Sequence, residues 1–393
     1  MATAAARRSY TGPALFSYGF RPFFLLAGLW AALAVPFWVL AMSGVAPFDQ
    51  YSLEWHKHEM LFGYVGAVVA GFLLTAVPNW TGRMPVMGAP LAGLVALWFA
   101  GRAAMLLQPA IGVSAGIVDS LFLIAFAAVV WREVLAGRNW RNAPVCALVT
   151  LLALANICFH LRVLVPHAGP VSDRAALGAA AILIALIGGR ITPSFTRNWL
   201  LQRRVKIAPP RWPRLDMAGL VTLAVGVLAW LVAPTAPLSG ALLVLGGLAT
   251  LARLSRWHGA KALAEPLVWI LHLGYGWLGV GVVLLGLSVL APDVAPYTGA
   301  VHALTAGSVG VMTLAVMTRA SRGHTGQPLV ADRATTFVYL AINAAAALRV
   351  AAAFLPDAYM MLIQASGVLW TAAFGGFVLA YGPAMLRPMI RAR

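Results

Sequence analysis

Apolar residues run in long stretches along this chain, each closed by a short cluster of arginine, proline, glycine or aspartate. A helix rising about 1.5 Å per residue needs about 20 apolar residues to cross a hydrocarbon core of about 30 Å. Twelve stretches reach that length, at about 22–42, 53–79, 88–107, 113–134, 142–165, 174–195, 215–233, 238–254, 265–290, 297–319, 334–355 and 358–385. The pattern predicts an all-α membrane helical bundle of 12 transmembrane helices, a single integral membrane domain over residues 1–393. The first stretch, from about Arg21, is followed by eleven more and reads as a retained span rather than a cleaved signal peptide. A proline-bearing basic connection at about 196–214 is expected to join two six-helix blocks, about 1–195 and 215–393, between which no internal repeat is evident.

Composition agrees with that pattern. The 393 residues are 61% hydrophobic and 10% charged, with a mean hydropathy of +0.85, whereas a soluble domain carries about 25% charged residues. The formal charge of +17, from 28 Lys and Arg against 11 Asp and Glu, fits membrane loops better than a nucleic-acid surface, because cytoplasmic loops accumulate Lys and Arg. With the N-terminus and its Arg7 and Arg8 inside, the inner loops collect Arg83, Arg132, Arg138, Arg141, the cluster "RNWLLQRRVKIAPPRWPR" that includes Lys206, Pro209, Pro210 and Arg211, then Arg253, Arg256, Lys261, Arg319, Arg322, Arg333 and the tail, and the outer ones hold Lys57 and Arg174. Both termini are therefore expected in the cytoplasm. Cys146 and Cys158 share one apolar run and make no disulfide framework or thiolate cage.

Ionisable groups within spans are expensive in a bilayer and mark function or a buried partner. Those at issue are His56, His58, Glu59, Arg102, Asp119, His160, Arg162, Arg190, His272, His302 and Arg349. Lys57, Arg102 and Arg162, near span ends, are expected either to hydrogen-bond from helix to helix or to snorkel to the interface, and Asp119 is open to pairing with an arginine. Helical rise places His302 about 8 Å below Pro296, His160 about 8 Å below Pro166, and His56 and His58 about 6–9 Å below a helix start capped by Ser52. Four histidines from three spans thus share one level. His56 and His58 point about 200° apart in a regular helix, so one is expected to be a ligand and the other not, with Glu59 bonding an imidazole. His272 lies in the opposite half, where Arg190 and His324 would accompany it. "GYGWLG" at 274–279 matches a dinucleotide fingerprint in letters only, for it lies inside an apolar run with no strand before it. Its glycines are expected to let helices approach closely.

Neutral imidazole suits iron, copper and zinc, and the scarcity of acidic groups argues against calcium or magnesium. A haem with histidine ligands is a natural occupant of such a bundle, with arginines available for its propionates.

The stretches "LFSYGFRPFFLLAG", "WHKHEMLFGYVGAVVAGFLLTAVPNWTGR", "HLGYGWLGVG" and "HALTAGSVGVMTLAVMTRASRGHTGQP" resemble the NnrS family of bacterial inner-membrane proteins. The resemblance covers about residues 15–330. It implies a polytopic protein of the bacterial inner (cytoplasmic) membrane that contains haem b and copper and is linked to nitric oxide, nitrosative stress and denitrification.

Three readings follow. The leading one is a haem- and copper-containing membrane protein that binds nitric oxide and reduces or otherwise detoxifies it, an oxidoreductase whose electrons come from quinol or a redox protein. In it, His58 and His302 bind haem, His56 and His160 are further ligands, and His272 holds copper or a second centre. Arg190 and Arg349 face anionic groups. The second is a twelve-helix secondary transporter; against it, the membrane polar groups favour histidine over the carboxylates that proton-coupled carriers use. The third is a haem-based sensor or assembly factor without turnover.

Overall fold

A computed structural model describes residues 10–48, 51–205, 207 and 213–388. Arg7, Arg8, Lys206, Pro209, Pro210 and Arg211, part of the basic pattern above, lie outside the described residues. Helix makes up 82% of the protein, and no strand occurs among the described residues. Among the described residues, twelve helices are long and apolar enough to cross a membrane: α1 Phe20–Met42, α2 Leu53–Thr81, α3 Ala89–Leu106, α4 Ser114–Ala136, α5 Trp140–Leu161, α6 Ala168–Gln202, α7 Arg214–Val232, α8 Pro237–Ser255, α9 Pro266–Leu290, α10 Tyr297–Thr325, α11 Arg333–Ala351 and α12 Pro356–Leu386.

Local chemistry sets their ends. Ser52 accepts the Trp55 amide at 3.2 Å ahead of α2, and Asp332 accepts that of Thr335 at 2.8 Å ahead of α11, each satisfying an amide the first turn leaves over. Prolines occupy the first turns of α3, α8 and α9, where no backbone N–H is needed. Gly82, at φ 69°, closes α2 in the left-handed conformation. Two helices run further than hydropathy suggests, α10 to Thr325 and α6 to Gln202. α6 continues through Pro193 to Gln202, so the first part of the expected 196–214 connection is helical.

The chain divides into two compact units. The first contains residues 1–179, 320–328 and 377–393: α1 to α5, the start of α6 and the last turns of α10 and α12. Here Arg21, buried at the head of α1, donates to the carbonyls of Met385 at 2.8 Å and Arg387 at 2.6 Å. A cation thus meets the negative end of α12. The second unit contains residues 180–319 and 329–376. In it α8 meets α7 and α9 through glycines: Gly247 lies against Gly279, Gly240 against Gly286 and Gly246 against Leu223, contacts that a Cβ would obstruct. Gly274 and Gly279 of "GYGWLG" both sit at such helix contacts.

The units share a device that pattern-reading does not detect. α2 and α10 are both 29 residues long. Each opens with six α-helical residues ending in a histidine, His58 and His302. Each then widens into a π-helix, Glu59–Tyr64 or Ala303–Gly310, before resuming α geometry. In that register Gly63 falls on Gly307, Val65-Gly66 on Val309-Gly310 and Thr81-Gly82 on Thr325-Gly326, and the next connections, 82–88 and 326–332, are equally long. Few positions match besides these, because apolar residues interchange freely elsewhere in a span.

Candidate metal centre

The first unit gathers its costly polar groups in one place. His58 closes the first α segment of α2, and the π-turn that follows directs both His58 and Glu59 into the protein, each fully buried. π-bulges recur at functional sites because they redirect side chains in this way. α3 supplies Arg102, 4% exposed, whose guanidinium lies over Gly63, where any side chain would collide with it. α4 supplies Asp119, 1% exposed. α5 supplies Asn156 and His160, four residues apart and therefore on one helical face; Gly116 on α4 leaves room for the His160 ring.

Asp119 is the hub. Its Oδ2 faces His58 Nε2 at 2.9 Å, His160 Nε2 at 3.0 Å and Asn156 Nδ2 at 2.9 Å. Its Oδ1 accepts from Arg102 Nη2. Arg102 Nη1 donates to Glu59 Oε2 at 2.5 Å, and Trp30 Nε1 donates to that oxygen at 2.7 Å. Glu59 Oε1 lies 3.1 Å from His58 Nδ1, which closes a ring of His58, Glu59, Arg102 and Asp119. Two buried carboxylates against one guanidinium leave one negative charge to balance, which an imidazolium or a bound metal cation supplies. One ligand atom each from His58, Asp119 and His160 lies within 4.8 Å of the others, the spacing of a metal site. Two imidazoles and one carboxylate suit copper or zinc, and poorly suit ions that want six or more oxygens.

The remaining sequence candidates are distributed as follows. His56 stacks on Trp38 at 5.5 Å, turned to different neighbours from His58. Of the two expectations for Arg102, the structure shows the helix-to-helix bond and not snorkelling: it sits in the ring because two carboxylates need its charge where water cannot reach. Lys57 pairs with Glu54 at 2.6 Å and Asp173 at 2.8 Å. Arg162, just beyond α5, lies 3.7 Å from the centre of the Phe159 ring, and burial lowers its pKa. His324, in the same unit, stacks on Tyr18 at 5.3 Å and packs against Phe20 at 5.4 Å. In the second unit, His302 Nδ1 meets the Thr298 carbonyl at 2.7 Å. His272 Nε2 meets Thr196 Oγ1 at 2.8 Å, with its ring beside Trp257 and Gly259. Arg190 lies on the exposed side of α6, and Arg349 lies close to Tyr359. Asn156 and Trp30 escaped the sequence reading; an asparagine four residues before His160 in an apolar span was the available signal.

Fold and site together define a polytopic helical membrane protein with a His–Asp–His cluster whose His58 and Asp119 are buried and whose His160 is partly so. The chain belongs to the NnrS family: the family model, described as NnrS protein, matches residues 14–389. No curated protein matches it. Family and spans make it a multi-pass membrane protein linked to the response to nitric oxide.

Proposed function

We propose that this protein binds a copper ion at His58, Asp119 and His160, and that this centre, with haem b, binds nitric oxide and consumes it, protecting the cell from nitrosative stress. The observation that carries the reading is the convergence of three ligand atoms within 4.8 Å at a depth where unpaired polar groups are costly. A bound copper ion would supply an open coordination position for a diatomic gas and a centre that can change charge. The protein's own residues prepare that position. Asp119 aims one oxygen at the two imidazoles, Asn156 donates to it, and Arg102 offsets the second carboxylate.

Haem does not fit at His58, whose ring is fully buried with both nitrogens against carboxylate oxygens. It fits better at His302. A carbonyl can only accept, so the bond to Thr298 keeps the proton on Nδ1 and the lone pair on Nε2, the form in which histidine ligates iron. Arg190, Arg349, His56 and His272 remain candidates for its periphery or for a further centre. Electrons would come from quinol or a redox protein, and the excess of Lys and Arg in alternate loops supports a reading with both termini on the cytoplasmic side of a bacterial inner membrane.

The test is an anaerobic nitric oxide titration of the purified, metal-analysed protein, followed optically. The reading predicts copper and haem bands that shift with gas. A protein purified colourless and metal-free after expression with ample haem and copper contradicts it. That outcome favours the transporter reading, which the α2 and α10 correspondence supports, since carriers are commonly built from such repeats.

A further inference from the structure

We propose that Arg102 is a positioning residue that decides which metal the His58–Asp119–His160 site accepts, by holding Asp119 to a single ligating oxygen. The inference rests on the metal reading above and deepens it.

Asp119 has two oxygens, and the protein divides their work. Oδ2 faces both imidazoles and Asn156, and Oδ1 is taken by Arg102. The carboxylate cannot turn to offer both oxygens to one ion without giving up the guanidinium. Arg102 is itself fixed, because its other arm is tied to Glu59, which Trp30 and His58 hold in turn. A planar guanidinium anchored at both ends makes a rigid clamp, which a lysine would not. The ring therefore presents two nitrogens and one oxygen. Zinc and copper accept that set, whereas manganese, magnesium and calcium gain from each added carboxylate oxygen.

The second unit shows that the clamp is not needed to build the turn. α10 makes the same histidine and π-helix with Ala303 where α2 has Glu59. In the matching register of α11, Ala346 stands where α3 has Arg102. Trp277, rather than a guanidinium, covers Gly307. Glu59 and Arg102 are thus additions specific to the first unit, where the His–Asp–His cluster is.

The test is competition between Zn(II) and Mn(II) for the full-length, chelator-stripped protein in detergent. Neither ion has a ligand-field preference, so their ratio reports the donor set. Arg102→Gln is compared with Glu59→Gln/Arg102→Gln, which removes one charge of each sign and guards against misfolding. The wild type should favour zinc by about a hundredfold or more, and both variants should still bind zinc with that ratio reduced about tenfold. Cu(II) spin resonance should keep its nitrogen couplings while the oxygen environment changes. Variants that keep the wild-type ratio within about twofold, or folded variants that bind no metal at all, overturn the proposal. A folded wild type that binds neither ion instead overturns the metal site itself.

Discussion

Arg102 is the residue on which the first unit's electrostatics turn. Its removal leaves the Glu59 and Asp119 carboxylates one positive charge short in a water-free site. Breaking a buried ion pair from one side costs about 3–5 kcal/mol, so Arg102→Ala should lower thermal stability by that order in detergent. Arg83→Ala breaks a pair whose arginine is 44% exposed and should cost no more than about 1 kcal/mol; equal losses in the two variants would contradict this account of the ring. The sequence exposed part of this chemistry: His58, His160 and Asp119 stand out as ionisable groups in apolar runs, and Glu59 beside His58 reads as an imidazole partner. Arg102 stayed open between a helix-to-helix bond and the interface, because a position near a span end says nothing about which way a side chain points. Only the packing of α3 on α4, through Gly101 against Asp119, brings it inward.

At the scale of the helix, the π-turn of α2 depends on what fills the space over Gly63. Gly63→Ala drives a methyl group into the Arg102 guanidinium and should cost about 1–3 kcal/mol by overpacking while reducing metal content. Gly93→Ala, on the open side of α3 with nothing within 4 Å, should be neutral or stabilising by up to about 1 kcal/mol, since alanine is the better helix former. Melting curves and metal analysis of the two variants check both. The spans themselves were legible because hydropathy and length are summed over about 20 residues. The π-helices were not, since a widened turn changes hydrogen bonding and leaves composition untouched.

For the whole molecule, the charge asymmetry of the loops predicts sidedness. A single cysteine at Arg138, between α4 and α5, should resist an impermeant maleimide in intact cells. One at Val165, between α5 and α6, should react with it. The reverse pattern would invert the topology and move the His58 end of α2 to the other face. The correspondence of α2 with α10 raises the same histidine-bearing turn twice in one chain, once with a ring of charges and once without. It escaped the sequence because so few positions must be conserved between apolar helices for the turn to form.

The central claim is that His58, Asp119 and His160 hold a metal ion. The most direct measurement is copper quantitation with Cu(II) spin resonance on the wild type and on His160→Ala, both purified after expression with ample copper. The account predicts stoichiometric copper with couplings to two nitrogens in the wild type, and the loss of one coupling or of the ion in the variant. Copper bound identically in both proteins, or absent from a folded wild type, would contradict it.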